Sequence, residues 1–151
     1  MPRYCIISNR EVRGSGLGSY HAPLTYWVSD GDAMNQFKGW KKTTKERFHS
    51  LLLKAADAFP IYPPEQHERQ KHVTLFVHGY NNSWDEAAAR YQSICSRLVE
   101  PNKLGVCVLF TWPSDGMATN YLPDRADARR SGADLADVLS DLYDWLLGKQ
   151  A

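Results

Sequence analysis

The clearest structural signal in the chain is Val73-Thr74-Leu75-Phe76-Val77-His78-Gly79-Tyr80-Asn81-Asn82, an apolar, β-prone run that ends in His-Gly. An apolar run bounded by a glycine turn predicts a buried strand of a parallel sheet. Ser83 and Glu86 follow, and apolar residues then recur at helical spacing. This pattern predicts a helix from about residue 84 to 99 that is capped by Ser83.

The segments that follow repeat the same order. Residues 105–111 form a second apolar run, and residues 126–147 carry apolar side chains at helical spacing. We expect Asp124 to cap this last helix and Gly148 to end it. Strand, helix, strand and helix in this order predict an α/β fold with a mainly parallel sheet and flanking helices.

The first 70 residues are less regular. Short strands are predicted over residues 4–8 and 24–28, with a flexible glycine-rich loop over residues 13–19 between them. A helix is predicted from about Thr43, capped by Thr43 and Glu46, to about residue 59. We therefore divide the chain into residues 1–70, with these strands, the helix and a proline-rich connector, and residues 71–151, a βαβα core. Both belong to one domain, which we expect to be incomplete.

The charge, the lengths of the apolar runs and the cysteine count of the chain argue against several classes of function. The chain has 151 residues, a formal charge of +1 and three cysteines. The charge gives no argument for binding nucleic acid, and no apolar run approaches the ~20 residues of a membrane span. Three cysteines in apolar surroundings predict reduced thiols and a cytoplasmic protein. The histidines and the glycine-rich loop lack metal-ligand and nucleotide-binding spacing, so we expect no metal and no cofactor.

The His-Gly-Tyr-Asn loop is the strongest candidate site. Backbone N–H groups at Gly79 and Tyr80 can stabilise a tetrahedral oxyanion, and a glycine there permits close approach of a substrate. The alternative is a tight strand-to-helix turn with a hydrogen-bonded histidine. The sequence leaves both interpretations open.

A second candidate, Trp112-Pro113-Ser114, lies just past the second strand, at the edge where open α/β sheets bind ligands. Trp112 can line a substrate pocket. Ser114 followed by Gly116 matches half of G-x-S-x-G, but Trp112 replaces the first glycine and Pro113 restricts the backbone. A structural loop serine is the favoured interpretation, and a nucleophile is the alternative.

Taken together, His78-Gly79-Tyr80-Asn81, Trp112-Pro113-Ser114 and the later Tyr121, Asp124 and Ser131 resemble a family of α/β-hydrolases of unknown function related to esterases and lipases. The resemblance covers about residues 73–147. It implies that residues 78–81 line an oxyanion hole, that Trp112 lies beside the same cleft, and that the substrate is a small ester. The substrate-binding residues expected from it are His78, Asn81, Trp112, Tyr121 and Asp124.

The same resemblance places a serine nucleophile on the next strand, followed by an acid and a histidine. The chain ends where that strand should begin, and it contains no G-x-S-x-G. We therefore expect the N-terminal half of a serine hydrolase, inactive alone, whose open sheet edge is covered by self-association or by a complementary chain. His78 precedes the expected nucleophile and is not the family's base. The alternatives are a non-catalytic binding module and a small hydrolase that uses Ser114.

Overall fold

A computed structural model of the chain describes residues 3–14, 16–31, 39–57, 73–79, 82–101, 106–114 and 121–150. Within these ranges the strands are β1 (Tyr4–Arg13), β2 (Gly16–Ser29), β3 (Lys41–Thr43), β4 (Val73–Val77) and β5 (Val106–Thr111). The helices are α1 (Lys45–Asp57), α2 (Trp84–Ile94) and α3 (Tyr121–Gln150), and a π-helical turn, Cys95–Val99, continues α2.

The five strands form one sheet in the order β3-β2-β1-β5-β4. Both β1 and β3 run antiparallel to β2, whereas β5 runs parallel to β1 and β4 runs parallel to β5. Four of the strands therefore share one direction. The predicted α/β fold with a mainly parallel sheet and flanking helices is confirmed.

The central strand, β1, is buried on both faces from Tyr4 to Arg10. Alternation along the strand sends Tyr4 and Ile6 to one face and Cys5 and Ile7 to the other. The first face packs against α2 through Trp84, Ala88 and Tyr91. The second packs against α1 and α3 through Phe48, Leu52, Val138 and Leu142. The sheet is thus covered by helices on both faces.

The predicted loop over residues 13–19 is wrong. β1 extends to Arg13 and β2 begins at Gly16, with these two residues paired across the hairpin. The described residues of this segment on either side of residue 15 therefore belong mainly to paired strands and not to a loop. Pro23 is tolerated inside β2 because β3 pairs only with residues 26–28 of that strand.

The predicted start of the first helix is wrong by two residues. Thr43 is the last residue of β3, a strand that the sequence analysis did not predict. Thr44 caps α1 instead, because its Oγ1 accepts a hydrogen bond from the backbone N–H of Arg47 at 3.2 Å. The predicted cap of α2 is confirmed, since Ser83 Oγ accepts from the N–H of Glu86 at 3.3 Å.

The predicted bounds of the last helix are also wrong. α3 begins at Tyr121, so Asp124 lies within its first turn and is not its N-cap. Pro123 permits this start because a proline is tolerated in the first turn, where its missing N–H is not needed. Gly148 lies inside α3 and does not end it. One glycine costs a helix only about 1 kcal/mol, which neighbouring residues can offset.

Candidate functional site

A buried arginine, Arg10, links the polar residues near the carboxyl ends of the parallel strands. Arg10 is 1% exposed. Its Nε donates to Thr111 Oγ1 at 2.8 Å, its Nη1 donates to the carbonyl oxygens of Gly18 at 3.0 Å and Ser114 at 2.8 Å, and its Nη2 donates to the carbonyl oxygen of Asn82 at 3.0 Å. One guanidinium therefore joins β2, β5, the loop after β5 and the segment that leads into α2.

Sequence analysis did not identify Arg10 or Asn82 as site residues. A signal for Arg10 was present, because Ser8-Asn9-Arg10 places three polar residues directly after the apolar start of β1. The carboxyl end of a strand in an α/β sheet is where ligand-binding residues collect. No comparable signal marked Asn82, whose position depends on the partners that the fold brings to it.

His78 follows β4 and is fixed by contacts on both ring nitrogens. Nε2 accepts from the backbone N–H of Trp112 at 3.1 Å and lies 3.1 Å from Thr111 Oγ1. Nδ1 lies 2.8 Å from the carbonyl oxygen of Gly79. Because Nε2 accepts an N–H, the proton is on Nδ1 and is donated to Gly79, while the Thr111 hydroxyl donates to Nε2. The imidazole also stacks on the Trp112 ring, with centroids 5.3 Å apart.

Burial lowers the pKa of His78 to about 4, and the positive charge of Arg10 acts in the same direction. The hydrogen bond to Gly79 opposes this shift. At neutral pH the ring is therefore uncharged. With both nitrogens engaged and only 3% exposure, His78 is placed to position the loop around it and not to take up a proton from a substrate.

Ser114 is fully buried, and its hydroxyl faces the segment that precedes α2. Its Oγ accepts from the backbone N–H of Asn82 at 3.0 Å, and its own N–H donates to the carbonyl oxygen of Trp112 at 2.8 Å. The Nδ2 of Asn82 donates to the carbonyl oxygen of Gly79 at 3.0 Å. The two loops predicted from sequence are thus brought together and bonded to each other.

A small apolar cavity of about 210 Å³ lies beside these loops, on the α3 side of the sheet. Its lining includes Trp112, Val77, Phe110 and Leu135. Trp112 thus lines a surface that a small apolar group can occupy.

Comparison with protein-family models gives one match, to the family described as alpha/beta hydrolase of unknown function (DUF900), over residues 64–146. The match spans more than half of the 151 residues. The chain belongs to this α/β-hydrolase family. Comparisons with curated proteins and with solved structures gave no significant match.

Several residues that the resemblance assigned to the hydrolase site lie outside the described part of the chain. These are Tyr80 and Asn81, and also the side chains of Tyr121 and Asp124, whose backbones lie in the first turn of α3. Gly79 is described and exposed. A Cβ added there would meet one atom within 4 Å, the Nδ2 of Asn82 at 3.9 Å. Packing against the described residues therefore does not require a glycine at this position.

Side-chain hydrogen bonds also join β1 and β2 to α3. Asn9 Nδ2 donates to Ser131 Oγ at 2.9 Å and to Asp134 Oδ2 at 2.8 Å. His21 Nε2 lies 2.7 Å from the same carboxylate oxygen. Ser131 is buried and thus packs closely against the sheet. Gly132 does not, because it is exposed and an added Cβ would meet no atom within 4 Å.

Among the residues that the structure describes, no group of three or more His, Cys, Asp or Glu side chains is arranged to hold a metal ion. None of the helices described there combines the length and the apolar character needed to span a membrane.

Proposed function

We propose that this chain supplies the oxyanion loop and the pocket lining of a carboxylic-ester hydrolase whose serine nucleophile lies outside residues 1–151. The proposal rests on the turn at His78 and Gly79 that directly follows β4, which we call the His78-Gly79 corner and whose backbone is held by hydrogen bonds. The Gly79 carbonyl accepts from both His78 and Asn82, so the backbone is held in one orientation before a substrate arrives. Donors that are preorganised in this way stabilise an oxyanion more strongly than mobile donors.

The position of Gly79 supports a role in contacting substrate. Among the described residues, only Asn82 Nδ2 comes within 4 Å of a Cβ built at Gly79, so these residues leave the space beside Gly79 open to a substrate carbonyl. The apolar cavity beside Trp112 is small and adjoins the same corner. It suits a short apolar acyl or alkyl group.

Ser114 is a poor nucleophile in this arrangement. An active serine needs a base within hydrogen-bonding reach and a path to substrate. Ser114 is fully buried and accepts from the N–H of Asn82, while the nearby His78 is bonded elsewhere.

A nucleophile strand would fit beside β4, an edge strand whose outer side pairs with no other described strand. Apolar side chains are exposed near it, with Val77 at 39%, Leu139 at 50% and Tyr143 at 63%. A cavity of about 480 Å³ lies between β4 and α3 and is lined by apolar residues such as Val73, Leu75 and Trp145. An exposed strand edge with apolar neighbours is a surface that proteins normally cover.

The first test uses the purified 151-residue chain and a fluorophosphonate, which reacts only with a serine that a base activates. We expect no adduct by intact-mass analysis, and no turnover of p-nitrophenyl butyrate above that of the Ser114→Ala variant. An adduct mapped to Ser114 would instead favour the small-hydrolase alternative.

The second test asks whether a complete enzyme contains this chain. The tagged chain is purified under native conditions from its own cells and treated with the same probe. We expect a labelled serine outside residues 1–151, and a decrease of about 10-fold or more in the labelling rate with Gly79→Ala, since an added methyl misplaces the substrate. The variant should change the free energy of unfolding by less than about 1 kcal/mol, because the methyl meets no close neighbour.

A double variant tests whether the part that carries the labelled serine binds beside β4. Leu139→Asp with Tyr143→Asp leaves the His78-Gly79 corner intact but adds charge beside the β4 edge. We expect the labelled serine to be lost from the purified material. If the native material contains no labelled serine, the hydrolase proposal fails. The non-catalytic binding module, favoured by the structural bonds of His78 and Ser114, is then the better account.

A further inference from the structure

A buried donor without a described acceptor lies on the α2 side of the sheet, on the opposite face from the apolar cavity beside Trp112. Among the residues that the structure describes, none accepts a hydrogen bond from Trp84 Nε1, and the side chain is 5% exposed. The corresponding donors of Trp27 and Trp112 are bonded, to Thr25 Oγ1 and to the carbonyl oxygen of His78, both at 2.9 Å. Buried polar groups are nearly always hydrogen-bonded, so an exception needs an explanation.

Gly16 leaves a space directly against this donor. A Cβ added at residue 16 would lie 3.3 Å from Trp84 Cδ1 and 3.5 Å from Nε1, with no other atom within 4 Å. A position above the ring face would also approach the neighbouring ring atoms. The space therefore lies off the N–H edge of the indole. It belongs to a cavity of about 210 Å³ that Gly16 and Trp84 line, on the α2 side of the sheet.

Two arginines line the same cavity. The guanidinium of Arg10 is committed to protein oxygens at Nε, Nη1 and Nη2, so its contribution to a ligand is its charge. Arg13 pairs through Nε with Glu11 at 2.7 Å and lies over the Tyr20 ring, and its Nη atoms remain as donors. The N-terminal residues of α2 also face the cavity, and that end of a helix favours negative charge.

The balance of charge points to a ligand with a single negative charge. Glu11 neutralises part of Arg13, and Asp85 also lines the cavity. The two guanidinium groups and the two carboxylates carry no net formal charge, so the individual donors and the positive end of α2 favour an anion, while Asp85 repels a dianion such as a phosphate monoester more strongly than a monoanion. A carboxylate matches the indole N–H and the arginine donors, since charge-assisted bonds to an oxyanion are the stronger kind.

We propose that this cavity, bounded by Gly16, Arg13 and Trp84, binds the carboxylate group of a small organic acid, with Trp84 Nε1–H as a direct donor. The inference goes beyond the proposed hydrolase function and does not depend on it. Arg10 lines this cavity and holds the carbonyl oxygens of Asn82 and Ser114, so the two sites share one positioning residue.

The test is a titration of the full chain with sodium acetate at constant ionic strength, followed through the indole N–H signals of its five tryptophans by NMR. We expect one signal to shift saturably, and Trp84→Phe to remove that signal and so assign it. Acetamide has a similar shape without charge and should give no saturable shift.

Three further variants make the result independent of whether Trp84→Phe folds. Gly16→Ala fills the space off the N–H edge and should weaken acetate binding at least 10-fold. Arg13→Gln should weaken it about 3-fold or more, whereas Arg97→Gln, an exposed arginine after α2, should leave it unchanged. No saturable indole shift, an equal response to acetamide, or insensitivity to Gly16→Ala would overturn the proposal. Tighter binding of inorganic phosphate than of acetate would overturn the assigned ligand class.

Discussion

Arg10→Met should destabilise the protein more than any other single substitution considered for this chain, by about 3–5 kcal/mol. Methionine keeps an unbranched side chain of similar length but donates no hydrogen bond. Three backbone carbonyl oxygens and the Thr111 hydroxyl would each lose a donor in a buried region. A buried acceptor left without a partner costs about 1–3 kcal/mol, and solvent entry or local rearrangement offsets part of the sum.

Urea unfolding followed by circular dichroism measures this effect. For a protein of this size the expected loss corresponds to a decrease in melting temperature of roughly 10 °C or more. Arg47→Met, on the exposed face of α1, is the matched control and should change the free energy of unfolding by less than about 0.5 kcal/mol. Arg10→Lys keeps the charge but not the forked geometry, and should fall between the two. A loss below 1 kcal/mol for Arg10→Met would show that these bonds do not hold the loops together.

Acidification should produce the second large effect, a loss of about 3 kcal/mol of stability between pH 6.5 and pH 4 that comes from His78. The folded protein holds the pKa of His78 at about 4, below the ordinary value of 6.5. Above pH 6.5 the imidazole is neutral in both the folded and the unfolded states, so the group adds no pH dependence. Between pH 6.5 and 4 only the unfolded state takes up the proton, and unfolding is therefore favoured as the pH falls.

The comparison with His78→Gln isolates this contribution. The variant should be less stable than the wild type at pH 7, because the contacts to Gly79 and Trp112 are altered. Its stability should nevertheless depend less on pH over this window. His49 contributes in the same direction in both proteins, since burial also lowers its pKa. Parallel stability curves for the two proteins, or an imidazole signal of His78 that titrates near pH 6.5, would contradict the prediction.

The part of the fold that sequence predicted correctly is the unit β4-α2-β5. Its strands are continuous apolar runs, and the start of its helix is marked by Ser83 and Glu86. These signals are local, because each element is specified by residues within one short stretch of chain. The same unit carries the family match and the His-Gly and Trp-Pro-Ser loops.

The errors fall where the structure of a segment depends on distant partners. β2 extends over 14 residues because β1 pairs along it, although Pro23 and two glycines weaken its local preference for a strand. Thr43 joins a strand because β2 provides the pairing, which moves the start of α1 to Lys45. In each case a ladder of hydrogen bonds with another segment overrides the local pattern.

The sequence alone determined the α/β class, the family, and the placement of two candidate loops at the carboxyl ends of neighbouring strands. Only the tertiary structure put β1 at the centre of the sheet and brought Arg10 to those loops. The bonds from Arg10 to Thr111 and to Asn82 span 101 and 72 positions of the chain. Periodicity and capping report the conformation of adjacent residues. The partners of a buried side chain are set instead by which segments pack together, since a buried donor must find its acceptors wherever the fold brings them.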